Sequence, residues 1–600
     1  MAVSFNLVHT FQFYYTILIL AIAIFVIAKE WLQAEVVFFG ALITLIIGKT
    51  ITVNEAFAGF SNQGMLTIGI LFVVAGALYN TGALELFNVL LFSRGKSKGI
   101  SRQILRISFP TAAASAFTNN TPLVAMMIPT VRSWAEKQDL APSKFLIPAS
   151  YAAILGGMCT LIGTSTTLVV HGLLIESGEP GFSFFEISKV GVPVALTGLI
   201  FLWIFGNRLL PDRKEPIVKL GENTREFVIG LKVTAAYKNI GKTIEEGKLR
   251  HLKGLFLFQI VRNGDVIAPA GPDERIREGD RLFFTGLPKT ILELQRTPGL
   301  QLIKESSFDL KRYDSDRVKT YEAVVSPSSP LVGKNVRESN FRSTYGAVII
   351  AIHRNGERIR KKIGDVVLHS GDTLLLLADH AFIKRWYHSN DFYLISNSEV
   401  VPSKPQWQMY YSIAVFLGMI VLAASGMLPL VVAAGLAALL LVMGRSISPA
   451  QIRHVVDWKV LIVIACAFGL AAAIQNSGLA DMIAAGLVSM KQWFGTIGAI
   501  TGVYVVTSLT NLIITSNATA ALLFPVAIST AAATGLGFHP FAITLAIAAA
   551  ASFATPISYQ TNLMVYGPGG YKFKDYLKIG IPLQIVTAVI AIGMIDKLYL

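Results

Sequence analysis

Apolar residues run in long stretches separated by short polar segments. Ten of these, near 12–28, 32–49, 64–91, 145–172, 188–207, 408–424, 427–444, 459–487, 540–566 and 577–596, are long enough to cross a bilayer as helices. Phe11 to Ala28 has no small-residue cleavage pattern and reads as a retained first helix. Two further stretches, 104–130 and 497–530, are apolar except at their centres, where Thr118-Asn119-Asn120-Thr121 and Thr515-Ser516-Asn517-Ala518-Thr519 intervene. A lipid-facing helix would pay several kcal/mol for such groups at mid-depth, so these runs are expected to face a cavity or other protein segments. Hydroxyls and amides that glue neighbouring helices together are the plainer alternative.

The two apolar halves repeat each other. Asn80-Thr81-Gly82 matches Asn476-Ser477-Gly478, Glu85 matches Asp481, and Pro129 of AMMIP matches Pro525 of ALLFP, all at an offset of 396; Thr166-Thr167-Leu168 matches Thr561-Asn562-Leu563 at 395. Such register over about 90 residues indicates an internal duplication. The flanks of the first polar run carry Arg94, Lys96, Lys98, Arg102, Arg106, Arg132, Lys137 and Lys144, whereas their counterparts carry only Lys491. By the positive-inside rule the first hairpin comes in from the cytoplasm and the second from outside, as an inverted repeat requires.

Composition fits a membrane protein: 53% of the 600 residues are hydrophobic and 15% charged. The net charge of +15 would suit a nucleic-acid partner in a soluble protein. Here it is concentrated differently, because residues 211–404 hold 32 of the 52 Lys/Arg and 24 of the 37 Asp/Glu. That segment is a polar insert between the halves, expected in the cytoplasm, and no nucleic-acid partner is expected. It contains its own repeat at an offset of 92: Ile240-Gly241-Lys242 with Val332-Gly333-Lys334, Arg262-Asn263-Gly264 with Arg354-Asn355-Gly356, and Gly279-Asp280 with Gly371-Asp372. Alternating apolar runs and Asn-Gly turns predict two small α+β domains.

Helix breaks are expected near Gly163-Thr164-Ser165-Thr166-Thr167 and near Thr555-Pro556-Ile557-Ser558-Tyr559-Gln560-Thr561-Asn562. Helix ends inside a membrane leave N–H groups that attract anions and carbonyls that attract cations. None of the tips or breaks contains Asp, Glu, Lys, Arg or His, so neither a proton relay nor a basic anion anchor is available. Neutral oxygens suit sodium, and hydroxyls, amides and helix N-termini suit an oxyanion. Cys159 and Cys466 sit in apolar stretches, Glu85 and Asp481 read as helix ends near water, and no phosphate loop, metal-ligand His pair or catalytic triad is visible, so the chain is not expected to be an enzyme.

The motifs TNNTPLVAMMIP and TSNATAALLFP resemble the Ser-Asn-Thr signatures of the divalent anion/sodium symporters, a family of sulfate and dicarboxylate carriers. The insert resembles a tandem of the C-terminal regulatory domains (RCK_C-like) of potassium-uptake and potassium-channel regulatory subunits. The whole arrangement is similar to permeases of the sodium/sulfate type. The resemblance implies a polytopic α-helical inverted repeat with two re-entrant hairpins and broken helices, arranged as a first transmembrane half 1–210, regulatory domains 223–303 and 315–398, and a second half 406–600. It implies anion contacts from Asn120, Thr121, Thr166, Ser516, Asn517, Thr519, Gln560 and Thr561. One sodium would be held by Ser115, Asn119, Asn120 and Gly163, and a second by Asn511, Asn517, Ala554 and Ser558. Two departures stand out: Thr167 occupies a position usually held by Asn, and the second motif is one residue short, so Ser516-Asn517 aligns either directly or shifted by one. The expected function is sodium-coupled import of a small dianion, sulfate or a dicarboxylate, by an elevator movement in an inner-membrane homodimer. A small ligand would bind the cytoplasmic tandem. A ligand-gated anion channel and a transport-deficient sensor are the alternatives from other classes.

Overall fold

The computed structural model describes residues 2–28, 31–83, 99–213 and 405–600. Of 228–394 it describes all but 250–254, 264, 268–269, 272, 287–296, 304–317, 327–328, 355–356, 360, 362, 380, 387–388 and 390. Glu85, Arg94, Lys96, Lys98, Gly264, Asn355 and Gly356 therefore lie outside the described residues. The chain forms two compact units, one of Met1–Asp212, Pro402–Val565 and Phe573–Leu600, the other of Arg213–Val401 with Tyr566–Lys572.

In the first unit the helices of the first half are α1 (Ala2–Ala28), α2 (Ala34–Ile47), α3 (Val53–Phe57), α4 (Gln63–Asn80), α5 (Ile100–Ser115), α6 (Asn120–Lys137), α7 (Leu146–Gly157), α8 (Ser165–Glu176) and α9 (Ser188–Leu209). In the other unit α10 (Phe341–Tyr345) and α11 (Ala381–Trp386) accompany the strands. The second half contributes α12 (Gln406–Ala424), α13 (Leu430–Met443), α14 (Pro449–Val455), α15 (Trp458–Asn476), α16 (Leu479–Asn511), α17 (Ser516–Thr534), α18 (Phe538–Ala550), α19 (Gln560–Tyr566) and α20 (Phe573–Tyr599). Among the described residues seven helices are long and apolar enough to cross a membrane, which makes this a polytopic α-helical membrane protein.

Local chemistry sets the helix ends. Thr52 and Glu55 form a capping box at α3, as Ser448 and Gln451 do at α14, and Asn62 accepts from the N–H groups of Gly64 and Met65 at the start of α4. The matched turns Asn80-Thr81-Gly82 and Asn476-Ser477-Gly478 close α4 and α15, with Gly82 and Gly478 at φ 75° and 77°. Asp481 lies in the first turn of α16, which itself bends at Gly495.

The polar runs fall at tight hairpin tips, between α5 and α6 and between α16 and α17. The stretches 145–172 and 540–566 are each two helices separated by non-helical backbone, at 158–164 and 551–559. Both breaks begin about five residues earlier than the polar residues suggest, because Met158, Cys159 and Phe553 belong to them. Their carbonyls are held by side chains from other helices: Ser188 donates to Cys159, Tyr151 to Phe553 and Gln584 to Ala551, each at 2.5 Å. Backbone also packs closely there. A Cβ on Gly191 would lie 2.0 Å from the Met158 carbonyl oxygen, and one on Gly580 2.1 Å from that of Phe553.

The other unit holds two five-stranded antiparallel sheets. The strands are β1 (Val228–Val233), β2 (Leu255–Arg262), β3 (Asp265–Ile267), β4 (Arg281–Gly286), β5 (Leu300–Leu302), β6 (Val318–Val325), β7 (Ala347–Arg354), β8 (Glu357–Arg358), β9 (Thr373–Asp379) and β10 (Phe392–Leu394). The sheet orders, β3-β2-β4-β1-β5 and β8-β7-β9-β6-β10, correspond strand for strand. Details repeat at the same offset of 92, including bulges at Phe258 and Ile350 and the pairs Arg262–Asp280 at 2.9 Å and Arg354–Asp372 at 2.8 Å. Those aspartates are buried, so each bidentate arginine neutralises a charge that would otherwise be costly there. Within this unit Arg213 donates to the Gly570 carbonyl at 2.5 Å, and Gly567 lies so close to Thr373 that a Cβ would meet its hydroxyl at 2.1 Å.

Candidate functional site

Each hairpin tip is held by the break of the opposite half. From the first tip, the Asn120 amide hydrogen-bonds the Tyr559 hydroxyl at 2.7 Å and the Thr121 hydroxyl donates to Gln560 Oε1 at 3.1 Å. From the first break, the hydroxyls of Ser165 and Thr166 donate to Asn517 Oδ1 in the second tip, at 3.0 and 3.1 Å. A third link joins the breaks, where Thr164 Oγ1 lies 3.1 Å from the Tyr559 hydroxyl. Tips and breaks thus converge on one region in the interior of the membrane unit.

Around Asn120 the oxygens crowd together. The end of its amide that points to the carbonyl oxygens of Gly163 and Ala153, 3.2 Å from each, and to the Ser115 hydroxyl is satisfied as the nitrogen, which donates to all three while Oδ1 accepts from Tyr559 at 2.7 Å. Turning the amide over would put Oδ1 among these oxygens, an arrangement that a bound cation would satisfy. Glycine is required nearby: a Cβ on Gly163 would sit 2.6 Å from the Gly157 carbonyl oxygen, and one on Gly157 2.9 Å from Asn120 Nδ2. Asn119 supports the turn by accepting from the Thr121 N–H at 3.2 Å.

The corresponding corner of the second half is built from Asn511, Ser516 and Ser552. Asn511 Nδ2 donates to the Ala549 carbonyl at 2.7 Å and to Ser552, while the Ser516 and Ser552 hydroxyls are 3.1 Å apart. Oδ1 of Asn511 and Oγ1 of Thr519 are buried and have no hydrogen-bond partner among the described residues. Each orphan costs about 1–3 kcal/mol unless something else engages it. Ser516 opens α17 as Asn120 opens α6, 396 residues apart, so measured from the helix starts Ser516-Asn517 is shifted by one relative to Asn119-Asn120.

The remaining expected residues play more local parts. Ser558 bonds Thr555 through its N–H and its hydroxyl, at 3.2 and 3.0 Å, and Ala554 is buried in the same turn. Thr561 accepts from Ser150 at 2.9 Å. Thr167 shares its one hydroxyl proton between the Leu161 and Thr164 carbonyls, both at 2.8 Å, and its counterpart Asn562 donates to those of Ser552 and Thr555 at 2.8 and 3.3 Å. Both residues therefore fasten the backbone of their break. Tyr559, Thr164, Ser165, Ser150 and Ser552 belong to this network without having been singled out by motif. The phenol of Tyr559 stood inside the polar run 555–562 and was the signal available. A recess runs from the first tip at Thr118 and Asn119 and the first break at Gly163 to Phe72 on α4 and Phe416 on α12.

Crossed hairpins and broken helices that converge on uncharged oxygens inside a membrane define a transporter, and no group of acidic, His or Cys residues able to hold a metal occurs among the described residues. The chain belongs to the citrate transporter family, whose model matches residues 22–548. A Chlamydomonas reinhardtii protein whose name describes a sulfur deprivation response regulator is 36% identical over 572 residues, 93% of this chain and 97% of that one. Sodium/sulfate cotransporter 1 of the same alga is 25% identical over 779 residues, covering 95% of this chain and 88% of its own length. An uncharacterized transporter of Escherichia coli, YfbS, is 28% identical over 600 residues, 97% and 98% of the two chains. The protein is accordingly a multi-pass membrane transporter for an anion and not an enzyme.

Proposed function

We infer that the protein is a sodium-coupled symporter that imports a small divalent anion, sulfate, through alternating access of the elevator type. The observation that carries this reading is the cluster of the Ser115 hydroxyl and the Gly163 and Ala153 carbonyls around the Asn120 amide, whose oxygen would complete it when turned inward. Such a group of neutral oxygens suits a small hard cation, and the sodium/sulfate names of several full-length relatives agree with it. Asn119 supports this first sodium position. A second sodium takes the orphaned Oδ1 of Asn511, with Asn517, Ala554 and Ser558 around it.

The anion lies between the N-termini of α6 and α17, where Thr121, Thr166, Ser516, Asn517, Thr519, Gln560 and Thr561 provide neutral donors. Asn517 Oδ1 is taken by Ser165 and Thr166, which leaves its amide nitrogen to offer to the anion. Sodium fills first and orders the tips, so anion affinity depends on sodium and sodium affinity on the anion by the same factor. The two halves form an inverted repeat with re-entrant hairpins, and the protein works as a homodimer in the inner membrane with its insert in the cytoplasm.

The insert regulates transport in response to a small cytoplasmic ligand. The support is that Tyr566–Lys572, which begins at the last residue of the helix bearing Gln560 and Thr561, belongs to the compact unit of the insert. The test of substrate and ion is initial uptake of radiolabelled sulfate into proteoliposomes in sodium or choline, with succinate as competitor. Sulfate uptake that needs sodium and ignores succinate is expected. Succinate uptake in place of sulfate would change the substrate to a dicarboxylate, and sodium-independent flux would favour a channel.

A further inference from the structure

Tyr559 has one proton and sits between two partners, Asn120 at 2.7 Å and Thr164 at 3.1 Å. Thr164 precedes α8, but its side chain caps no helix N–H, so its hydroxyl is available to the phenol. Two hydrogen-bond arrangements of this trio can be drawn, and the one in which the amide nitrogen faces the carbonyls satisfies every group without a bound ion, whereas the other needs a cation against Oδ1. In one, Asn120 Nδ2 donates to Tyr559, Tyr559 donates to Thr164, and Asn120 Oδ1 is turned toward Ser115, Gly163 and Ala153. In the other, Tyr559 donates to Asn120 Oδ1, Thr164 donates to Tyr559, and the amide N–H groups fill the oxygen cluster. Only the first presents an oxygen to a cation; the second presents N–H groups that repel it. The switch needs rotation of one amide and three hydroxyls, those of Tyr559, Thr164 and Ser115, with no movement of the backbone and no change of charge.

Resting on the sodium-symport reading, we propose that Tyr559 is a positioning residue for the first sodium: by accepting from Asn120 it holds the amide with its oxygen toward the cation. The residue after it, Gln560, accepts from Thr121 at the same tip. The cation-ready amide of the first half therefore requires the break of the second half to be in place. This gives a direct route by which sodium at one tip orders a segment that touches the anion.

The test is Tyr559→Phe, which keeps the ring and removes the hydroxyl, with Thr164→Val as a second variant that removes only the far partner. Two measurements are made on each: the sodium concentration for half-maximal sulfate uptake, and the shift in melting temperature of the purified protein with sodium in place of choline. Loss of one hydrogen bond to a cation ligand predicts a rise of about tenfold in the sodium requirement of Tyr559→Phe. Thr164→Val moves it in the same direction by a smaller factor. The sodium-dependent melting shift shrinks in parallel, and the sulfate KM at saturating sodium stays within about twofold of wild type. An unchanged sodium requirement in a folded Tyr559→Phe protein overturns the proposal, as does a rise in sulfate KM alone, which would make Tyr559 an anion contact. Should Tyr559→Phe not fold, an unchanged sodium requirement in Thr164→Val overturns it instead. Absence of any sodium effect in wild type, on uptake and on melting, would overturn the symport reading itself and this role with it.

Discussion

The corners of the two halves are made from the same parts in opposite order. In the first, a hydroxyl ends the first arm of the hairpin (Ser115) and an amide opens the second (Asn120); in the second, the amide comes first (Asn511) and the hydroxyl after (Ser516). Both corners reach equivalent carbonyls, Ala153 and Ala549, which are 396 apart. The amides meet them with the same end. With its amide set to satisfy its neighbours, Asn120 donates to Ala153 as Asn511 donates to Ala549; what differs is the oxygen, which accepts from Tyr559 in the first corner and is buried without a partner in the second. A duplicated fold has thus kept its geometry while giving its two corner amide oxygens different surroundings.

The largest expected effects come from removing the tip amides. Asn120→Ala and Asn517→Ala should each lower sodium-driven uptake roughly a hundredfold, since each loses two contacts worth about 1.5–3 kcal/mol when they serve charged species. Concentration dependence separates them: Asn120→Ala should raise the sodium requirement first, Asn517→Ala the sulfate KM. Equal shifts in both parameters for both variants would erase the distinction between the corners. Wild-type uptake in either would remove that residue from the site.

Next come the glycines that admit the break carbonyls. Gly191→Ala and Gly580→Ala place a Cβ 2.0 and 2.1 Å from a carbonyl oxygen, so each should cost about 3 kcal/mol of stability, read as lower melting temperature and lower yield. Similar losses in the two variants would support equivalent breaks. A benign Gly580→Ala beside a damaging Gly191→Ala would mean that the second break relaxes where the first cannot.

A smaller difference separates the residues that fasten the breaks. Asn562 makes two donations and shares the Ser150 hydroxyl proton with Thr561, at 2.8 and 2.9 Å, while Thr167 shares one proton between two carbonyls. Asn562→Ala should therefore destabilise by about 2–3 kcal/mol and Thr167→Val by about 1–2. Thermal unfolding in detergent gives the ranking, and a reversed order would contradict these assignments.

Much of this arrangement was legible in the sequence, for reasons that particular residues make clear. Polar runs such as 118–121 and 515–519 are conspicuous because apolar residues flank them, and the offset of 396 tied them together. The starts of the breaks were hidden. Met158, Cys159 and Phe553 are apolar, and the groups that satisfy their backbone, Ser188, Tyr151 and Gln584, are distant in the chain. Thr167 looked anomalous because the resemblance led to Asn, yet a hydroxyl fastens two carbonyls there as an amide does in the second half. Tyr559 was visible as a letter in a polar run, but its function depends on pairing with Asn120, 439 residues away.

The central claim, that sodium bound at these crossed tips drives the anion, is tested most directly by accumulation against a gradient. Proteoliposomes with an inward sodium gradient and equal sulfate on both sides should concentrate radiolabelled sulfate, then release it when a sodium ionophore collapses the gradient. Sulfate that merely equilibrates, with or without sodium, would contradict coupling and leave a passive path through the same fold.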